Sequence, residues 1–351
     1  MKKIKLGIVG AGFTSQTCHI PNFFKNKKVF IVALAEKRKL LRHKIAKKYK
    51  IKNIYESHEQ LLLNEKEIDG IIVIVRRNET FKVVKDCLLA GVNVFSEKPM
   101  AKTSNDAKIL ENLSRKKKLV YKIGFNRIHD NGIILGKKIF DKYLVSRKFG
   151  KFLFFKFHRF SGTGYNKKIK YVKTKDPYPK TKFDPKNYPH FLNKKNFNVY
   201  DSYLNIYSHN INLILYFFKK MPEIKNVFTK KDYQLVVLNF KDFIGTLETR
   251  FKKDLEWDEE MNFYFENGKI GIKTFPQQFK NKPAEISIKK RGKNEKKIKL
   301  KKSKWSFFNQ SNSFISDLII KKCVTNNARN CVRDLKLVEN IFKKYEKNNW
   351  K

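Results

Sequence analysis

Short apolar runs alternate with amphipathic stretches through the first third of the chain. Ile4–Val9, Phe30–Ala35, Gly70–Val75, Asn93–Ser96 and Val120–Phe125 have the length and composition of buried strands. Between them, Arg38–Lys48, Asn78–Ala90 and Ser104–Lys117 carry apolar residues at helical spacing. This alternation predicts a parallel, doubly wound sheet, whose ligands bind at the carboxyl ends of the strands.

After about residue 125 the rhythm changes. A helical stretch, Asp130–Tyr143, precedes an alternating run, Phe152–Phe160. Ser161–Asn198 is loop-like, rich in Lys, Pro, Tyr and Asn, and loops of that length are usually functional or mobile. A helix is expected over Val199–Lys219. Strands follow at Ile224–Thr229, Leu235–Phe240, Gly245–Arg250, Met261–Phe265 and Ile270–Lys273, with a hairpin signal at Glu266-Asn267-Gly268-Lys269. Helices near Phe307–Lys322 and Asp334–Asn348 close the chain. Successive strands joined by short turns predict a mostly antiparallel, open sheet. The fold class is therefore α/β: a Rossmann domain over 1–124, then an α+β substrate and oligomerisation domain over 125–351.

Composition changes this picture little. A length of 351 residues suits about two domains, and 41% hydrophobic residues argue against global disorder. No apolar run is long enough to suggest a membrane span. The start, Met1–Leu6, resembles a signal-peptide n-region, but its apolar run is short and enters a glycine turn, so it reads as the first strand. Cys18, Cys87, Cys323 and Cys331 show neither C-x-x-C nor metal spacing. They read as reduced thiols of a cytoplasmic protein, with no metal site expected.

The formal charge of +47 raises the question of a nucleic-acid partner. The basic residues are mostly Lys and run through the whole chain, alongside abundant Asn, Ile, Phe and Tyr. That reads as codon bias of an AT-rich genome, so no nucleic-acid partner is expected. A field that attracts anionic small molecules such as nucleotide sugars is the second reading. The basic run Lys289–Lys304 reads as a solvated hairpin.

The chemistry begins at Lys5-Leu6-Gly7-Ile8-Val9-Gly10-Ala11-Gly12-Phe13-Thr14-Ser15. An apolar run ending in G-x-G-x-x-S before a helical pattern is the wiring of a dinucleotide site. Gly10 allows the turn, and Gly12 lets the backbone approach a pyrophosphate at the start of the helix. Glu36, about 20 residues past Ser15, is placed to accept hydrogen bonds from an adenine-ribose diol. It should repel a 2′-phosphate, which favours NAD, while Lys37 and Arg38 leave NADP open. Ser96-Glu97-Lys98-Pro99 ends a strand, and a partly buried lysine there can share a proton with a substrate hydroxyl. Alone, the tripeptide reads equally as a surface turn. Asn205 and His209 stand at i,i+4 and would share a helix face, with His209 suited to proton transfer or to a structural role.

Taken together, Gly10 to His19, then Glu36, then Ala90-Gly91-Val92-Asn93-Val94-Phe95-Ser96-Glu97-Lys98-Pro99, then Gly124-Phe125-Asn126-Arg127 resemble the glucose–fructose oxidoreductase / inositol dehydrogenase / rhizopine-catabolism (Gfo/Idh/MocA) family. Trp257-Asp258-Glu259-Glu260 through Gly268 and Pro276 resembles its second-domain hairpin. The resemblance implies a nicotinamide cofactor, NAD or NADP, and hydride transfer to or from a sugar-like or cyclitol carbon. It implies Lys98 and His209 as catalytic residues and Asn205, Arg127 and Asn126 as substrate-binding. Gly10, Gly12, Phe13, Thr14, Glu36, Arg76, Asn78, Glu97 and Pro99 are expected around the cofactor, the last two flanking the nicotinamide ribose. The family's Asp four before His is Asn205 here, its Gly two before His is Tyr207, and its Thr-Pro-Asn-x-x-His is Arg76-Arg77-Asn78-Glu79-Thr80-Phe81.

The expected protein is thus an oxidoreductase of a sugar, cyclitol or nucleotide sugar, in surface-glycan precursor metabolism on one reading, assembled as a homodimer or homotetramer. Two rivals stand beside it: a non-redox enzyme that uses NAD transiently to cleave a glycoside, and a catalytically silent sensor of sugar or NAD.

Overall fold

The computed structural model describes residues 3–162, 169–180, 183–253, 255–300 and 303–348. The chain divides into two compact units, each built from several segments. The first comprises Met1–Phe125, Ile169–Ser208 and Gln310–Lys336; the second comprises Asn126–Lys168, His209–Asn309 and Leu337–Lys351.

In the first unit, β1 (Ile4–Val9), β2 (Val29–Ala35), β3 (Asn53–Tyr55), β4 (Gly70–Val73), β5 (Asn93–Ser96) and β6 (Tyr121–Ile123) form one parallel sheet in the order β3-β2-β1-β4-β5-β6. Its helices are α1 (Ile20–Phe24), α2 (Lys39–Tyr49), α3 (His58–Asn64), α4 (Arg77–Leu89) and α5 (Ser104–Lys116). Leu6 pairs with Ile31 on one side and Gly70 on the other, so β1 is central. With helices on both faces, its inner residues need continuous rather than alternating hydrophobicity. The order reverses beside β1, and the crevice there is where such sheets bind ligands. β3 and α3 were not expected from the sequence: β3 has only three residues and no marked apolar run. α3 starts where the Ser57 hydroxyl accepts the Gln60 amide.

α7 (Phe197–Ile206) also belongs to the first unit. The second unit carries α6 (Asn131–Ser146), β7 (Phe152–Ser161), α8 (Ser208–Phe218), and then β8 (Glu223–Lys230), β9 (Tyr233–Asn239), β10 (Ile244–Phe251), β11 (Asp258–Phe265), β12 (Gly268–Lys273), β13 (Glu285–Lys290) and β14 (Lys296–Ile298). The strands form one sheet, β14-β13-β12-β11-β7-β10-β9-β8, antiparallel except where β7 runs parallel to β10. One face buries Phe155, Phe157, Leu247 and Phe263. Phe140 of α6 and Phe217 and Phe218 of α8 pack there, with ring centroids 4.5 Å (Phe140–Phe263), 4.9 Å (Phe217–Phe263) and 4.9 Å (Phe218–Phe155) apart. The abundant Phe is therefore core material in this unit. The other face presents Phe154, Phe160, Tyr233, Leu235, Val237 and Tyr264, all half-buried.

Two departures from the sequence expectation matter for function. The helix expected over Val199–Lys219 is interrupted at Tyr207, which separates α7 from α8. Asn205 and His209 therefore do not share an unbroken i,i+4 face. The segments 169–208 and 310–336, expected in the second domain, cluster with the first unit. The later turns of α9 (Ser306–Ile320) place Phe314 against Phe23 and Phe95, and α10 (Ala328–Asn348) follows. The buried Lys122 ammonium on β6 donates to Asp317 (2.7 Å), Ser313 (2.9 Å) and Thr325 (3.0 Å), which fixes that return. Positions 163–168 and 181–182 of the expected loop, and 301–302 of the basic run, lie outside the described residues.

Candidate active site

The glycine turn follows β1 directly. Gly10 has φ +92°, and a Cβ there would stand 2.2 Å from the Ile74 carbonyl oxygen. Both the conformation and the close approach of β4 demand glycine. Above Gly12 the nearest atom to a built Cβ is Arg38 Nη2 at 3.9 Å, so space is open on the cleft side. The backbone is helical from Phe13 through Phe24, including a π-helical turn over Ser15–His19.

A cleft of about 410 Å³ lies at this end of the sheet. Gly10, Gly12, Phe13, Thr14, Glu36 and Arg76 line it. These are six of the expected cofactor residues; Asn78 sits exposed on the first turn of α4 and does not line it. The Glu36 carboxylate accepts the Ala11 amide (2.8 Å) and is gripped by Arg38 through Nε (2.8 Å) and Nη2 (3.0 Å). Burial alone would raise its pKa. The hydrogen bonds from Arg38 and Ala11 outweigh that and hold it below the usual carboxylate range. The Lys37 ammonium bonds Glu79. An acid held ionised beside a glycine turn that admits no side chain, over an open cleft, fits an adenosine diphosphate moiety.

At the end of β5, the half-buried Lys98 ammonium donates to the backbone carbonyl of Asn205 at the C-terminal end of α7. That end of a helix carries unpaired carbonyls and attracts cations. The contact of Asn205 with Lys98 is therefore through its backbone, and the residue is exposed. Glu97 accepts from or pairs with His19 Nε2 at 2.6 Å, and its other oxygen accepts the Lys98 amide at 3.1 Å. The His of the G-x-G-x-x-S-x-x-x-H string thus braces the Glu-Lys-Pro strand end. Below Pro99, the Lys102 ammonium meets Tyr188 Oη (2.8 Å) and Asp201 (3.0 Å), while the Tyr200 hydroxyl donates to the Lys102 carbonyl (2.7 Å). Burial lowers the Lys102 pKa.

The second unit builds a separate cluster around Glu259. This carboxylate is fully buried. It accepts from Arg127 Nη2 (2.6 Å), Asn210 Nδ2 (2.9 Å) and the Thr274 hydroxyl, with Arg159 Nε at 4.0 Å. Trp257 lies beneath both guanidiniums, 5.2 Å from Arg127 and 4.7 Å from Arg159. Burial acts to raise the Glu259 pKa; the two arginines outweigh it and lower it. Arg127, expected to bind substrate, is committed on one edge to Glu259 and the Phe275 carbonyl (2.9 Å). Asn126 donates to Ser306 Oγ at 2.8 Å, and both Asn126 and Arg127 line a shallow concavity with Asp130, Phe275 and Trp305. His209 is 4% exposed at the start of α8, beside Asn210 of the cluster.

Sequence reasoning missed Arg159 and Trp257 as Arg127's neighbours, and Tyr178 in the cleft. The β7 and β11 alternation carried the signal for the first group, since Arg159 and Glu259 fall on the inward parity. His58, Glu59 and Asp86 converge, but Lys82 supplies the cation, 2.6 Å from Glu59 and 3.2 Å from Asp86. Among the described residues no helix is long and apolar enough to cross a membrane.

Residues 4–125 match the model of the oxidoreductase family with an NAD-binding Rossmann fold, Gfo/Idh/MocA. The match is confined to this N-terminal portion, and the chain spans less than half the length of the curated relatives it is similar to. An uncharacterised oxidoreductase of Schizosaccharomyces pombe is 28% identical over 167 residues, which span 43% of this chain and 45% of that protein. Solved structures share the fold over nearly the full length. A dehydrogenase of Clostridium difficile is 20% identical with a TM-score of 0.72, covering 97% of this chain and 99% of its own. A 3-ketoreductase of Actinomadura kijaniata, solved with TDP-benzene and NADP, is 14% identical with a TM-score of 0.74, covering 97% of each chain. A Desulfitobacterium hafniense protein assigned as an NADPH-dependent oxidoreductase is 13% identical with a TM-score of 0.78, covering 99% of this chain and 96% of its own.

Proposed function

We propose that the protein is a nicotinamide-dependent oxidoreductase acting on a hydroxyl or keto carbon of a sugar, cyclitol or nucleotide sugar. The observation that carries this reading is the ionised Glu36 over the open cleft beside the Gly10 turn, on the same sheet whose β5 ends in Lys98. Gly10, Gly12, Phe13 and Thr14 would hold the pyrophosphate and Glu36 the adenosine ribose, with Arg76 on the opposite wall. Glu97 and Pro99 would stand at the nicotinamide ribose. The cofactor, when bound, supplies the hydride acceptor or donor.

Lys98 and His209 are the proposed proton partners of the substrate hydroxyl. The Asn205 carbonyl aims the Lys98 ammonium, and Arg127 and Asn126 orient substrate. Arg127 does so with its guanidinium held in place by Glu259. The TDP-benzene bound by the Actinomadura kijaniata neighbour supports the nucleotide-sugar branch, and the +47 charge would draw such an anion in. We assign the protein to the cytoplasm and to a homodimer or homotetramer joined through the uncovered sheet face.

Reduction of NAD and NADP, followed at 340 nm against cyclitols, free sugars and nucleotide sugars, tests the reading. Substrate-dependent NADH or NADPH formation, or its reversal with keto sugars, supports it. Glycoside cleavage without net cofactor turnover would replace it with the non-redox reading.

A further inference from the structure

Residues 169–180 lie as a strap along the dinucleotide cleft. Gln16 exchanges two hydrogen bonds with Val172, its Nε2 donating to the carbonyl (3.1 Å) and its Oε1 accepting the amide (2.8 Å). Tyr171 packs edge-on against Phe13, ring centroids 5.1 Å apart. Asp176 accepts the Leu40 and Leu41 amides (3.1 and 2.9 Å) at the start of α2, and the Thr174 hydroxyl (2.7 Å) holds that carboxylate in place. These tethers join the strap to the Gly-turn helix and to the helix after Glu36.

The strap delivers Tyr178 into the cleft. Its ring lines the cavity with Pro179, and two guanidinium carbons lie over it, Arg38 at 4.8 Å and Arg76 at 4.9 Å. Tyr178 is 62% exposed, so burial does not fix the ring. The two cations do. Arg38 is the residue clasped to Glu36, and Arg76 follows β4 on the other wall. A flat, electron-rich ring beside Glu36 and within reach of both guanidiniums stands where an adenine would stand if Glu36 took the adjoining ribose.

We propose that Tyr178 is a competitor for the adenine place: the chain's own ring occupies the Arg38–Arg76 cation pair, and a dinucleotide must displace it to dock its adenosine end. This rests on the assignment of the cleft to NAD(P). The strap then sets cofactor affinity from its adenosine end alone, without touching the nicotinamide end.

Binding of AMP and of NMN, measured separately by calorimetry on the full chain, tests this without recourse to turnover. Tyr178→Ala should bind AMP about tenfold more tightly than the parent, the gain expected from releasing two exposed cation–π contacts. Tyr178→Phe keeps the ring but loses the hydroxyl that Arg38 hydrogen-bonds, so it should fall between the parent and Tyr178→Ala. NMN affinity should be the same in all three. Tyr178→Trp adds a direct readout: its emission should change on adding AMP and stay unchanged on adding NMN. Unchanged or weaker AMP binding by Tyr178→Ala, with the parent binding AMP normally, overturns the competition and makes the ring a wall of the site. Failure of AMP to bind the parent and all variants overturns the assignment of the cleft as well.

Discussion

Arg38 grips the Glu36 carboxylate through two nitrogens, Nε at 2.8 Å and Nη2 at 3.0 Å, from only two residues away. The residue that would welcome a 2′-phosphate is thereby spent on the acid that repels one. Lys37, the other cation of that corner, is bonded to Glu79. The parent should therefore bind NAD more tightly than NADP. Glu36→Ala should free Arg38 and shift the NADP-to-NAD affinity ratio upward by roughly tenfold or more, the scale of a charge-assisted hydrogen bond. Fluorescence titration with both reduced cofactors decides it. Clearly tighter NADPH binding by the parent would show the corner misread.

Gly10 and Gly12 answer to different constraints, and their variants should separate. Gly10→Ala drives a methyl into the Ile74 carbonyl at a positive φ. It should lower the melting temperature and abolish cofactor binding together. A methyl at Gly12 meets nothing nearer than Arg38 at 3.9 Å, so Gly12→Ala should keep the melting temperature and weaken NADH binding by crowding the pyrophosphate path. Thermal unfolding and NADH fluorescence on both variants give the comparison. A Gly10→Ala protein of parental stability contradicts the clash.

The long periodic elements were legible from the sequence: β1, β5, β8–β10 and β12 were anticipated within a residue or two and β11 within three, as were the glycine turn and Glu36. Their signals are local, since apolar period and turn chemistry lie within one window. What could not be read was set by distant partners. Nothing near Tyr207 announces a break between α7 and α8, and Lys98 finds Asn205 through a backbone carbonyl over a hundred positions away. Asp176 reads as a loop acid until it caps α2. The grip of Glu259 on Arg127 was hidden because the buried acid is remote in sequence.

Removing the Glu259 charge should be severe. Glu259→Gln leaves Arg127 and Arg159 buried together without their acid, a loss on the order of 3–5 kcal/mol. Chemical denaturation near pH 7 should show that loss. The Glu259 pKa is lowered in the folded protein, so its stabilisation is full above the unfolded value, about 4.3, and fades as pH falls through the lower folded value. The parent and variant melting temperatures should accordingly converge in strong acid. A constant gap down to pH 2 would mean that packing, not charge, is lost.

The face of the second sheet opposite α6 and α8, uncovered among the described residues, carries Phe154, Phe160, Tyr233, Leu235, Val237 and Tyr264, with Lys156 and Glu248 paired at 3.3 Å among them. A half-buried apolar surface of this kind suits a self-complementary interface. Light scattering should report a dimer or tetramer at micromolar concentration, and Val237→Asp should shift it toward monomer while NADH binding persists. A monomeric parent refutes the assembly.

The proton path has the fewest alternatives. With Asn at 205, Lys98 and His209 are the titratable residues left at the family's motif positions, and general acid–base help is worth about 10²–10⁴-fold. Lys98→Ala and His209→Ala should each lower turnover by that order while NADH affinity stays near parental, since the proposed cofactor contacts at Gly10, Gly12 and Glu36 are left intact. Lys98→Arg separates charge from proton transfer. It retains a cation for the Asn205 carbonyl but cannot give up its proton near neutrality, so it should restore folding stability and not turnover. Asn205→Asp brings back the family's carboxylate and should shift the pH profile of turnover. Full turnover by His209→Ala would move the base elsewhere, with a tyrosine of the 161–198 segment the next to test, and would overturn the mechanism while leaving the cofactor site standing.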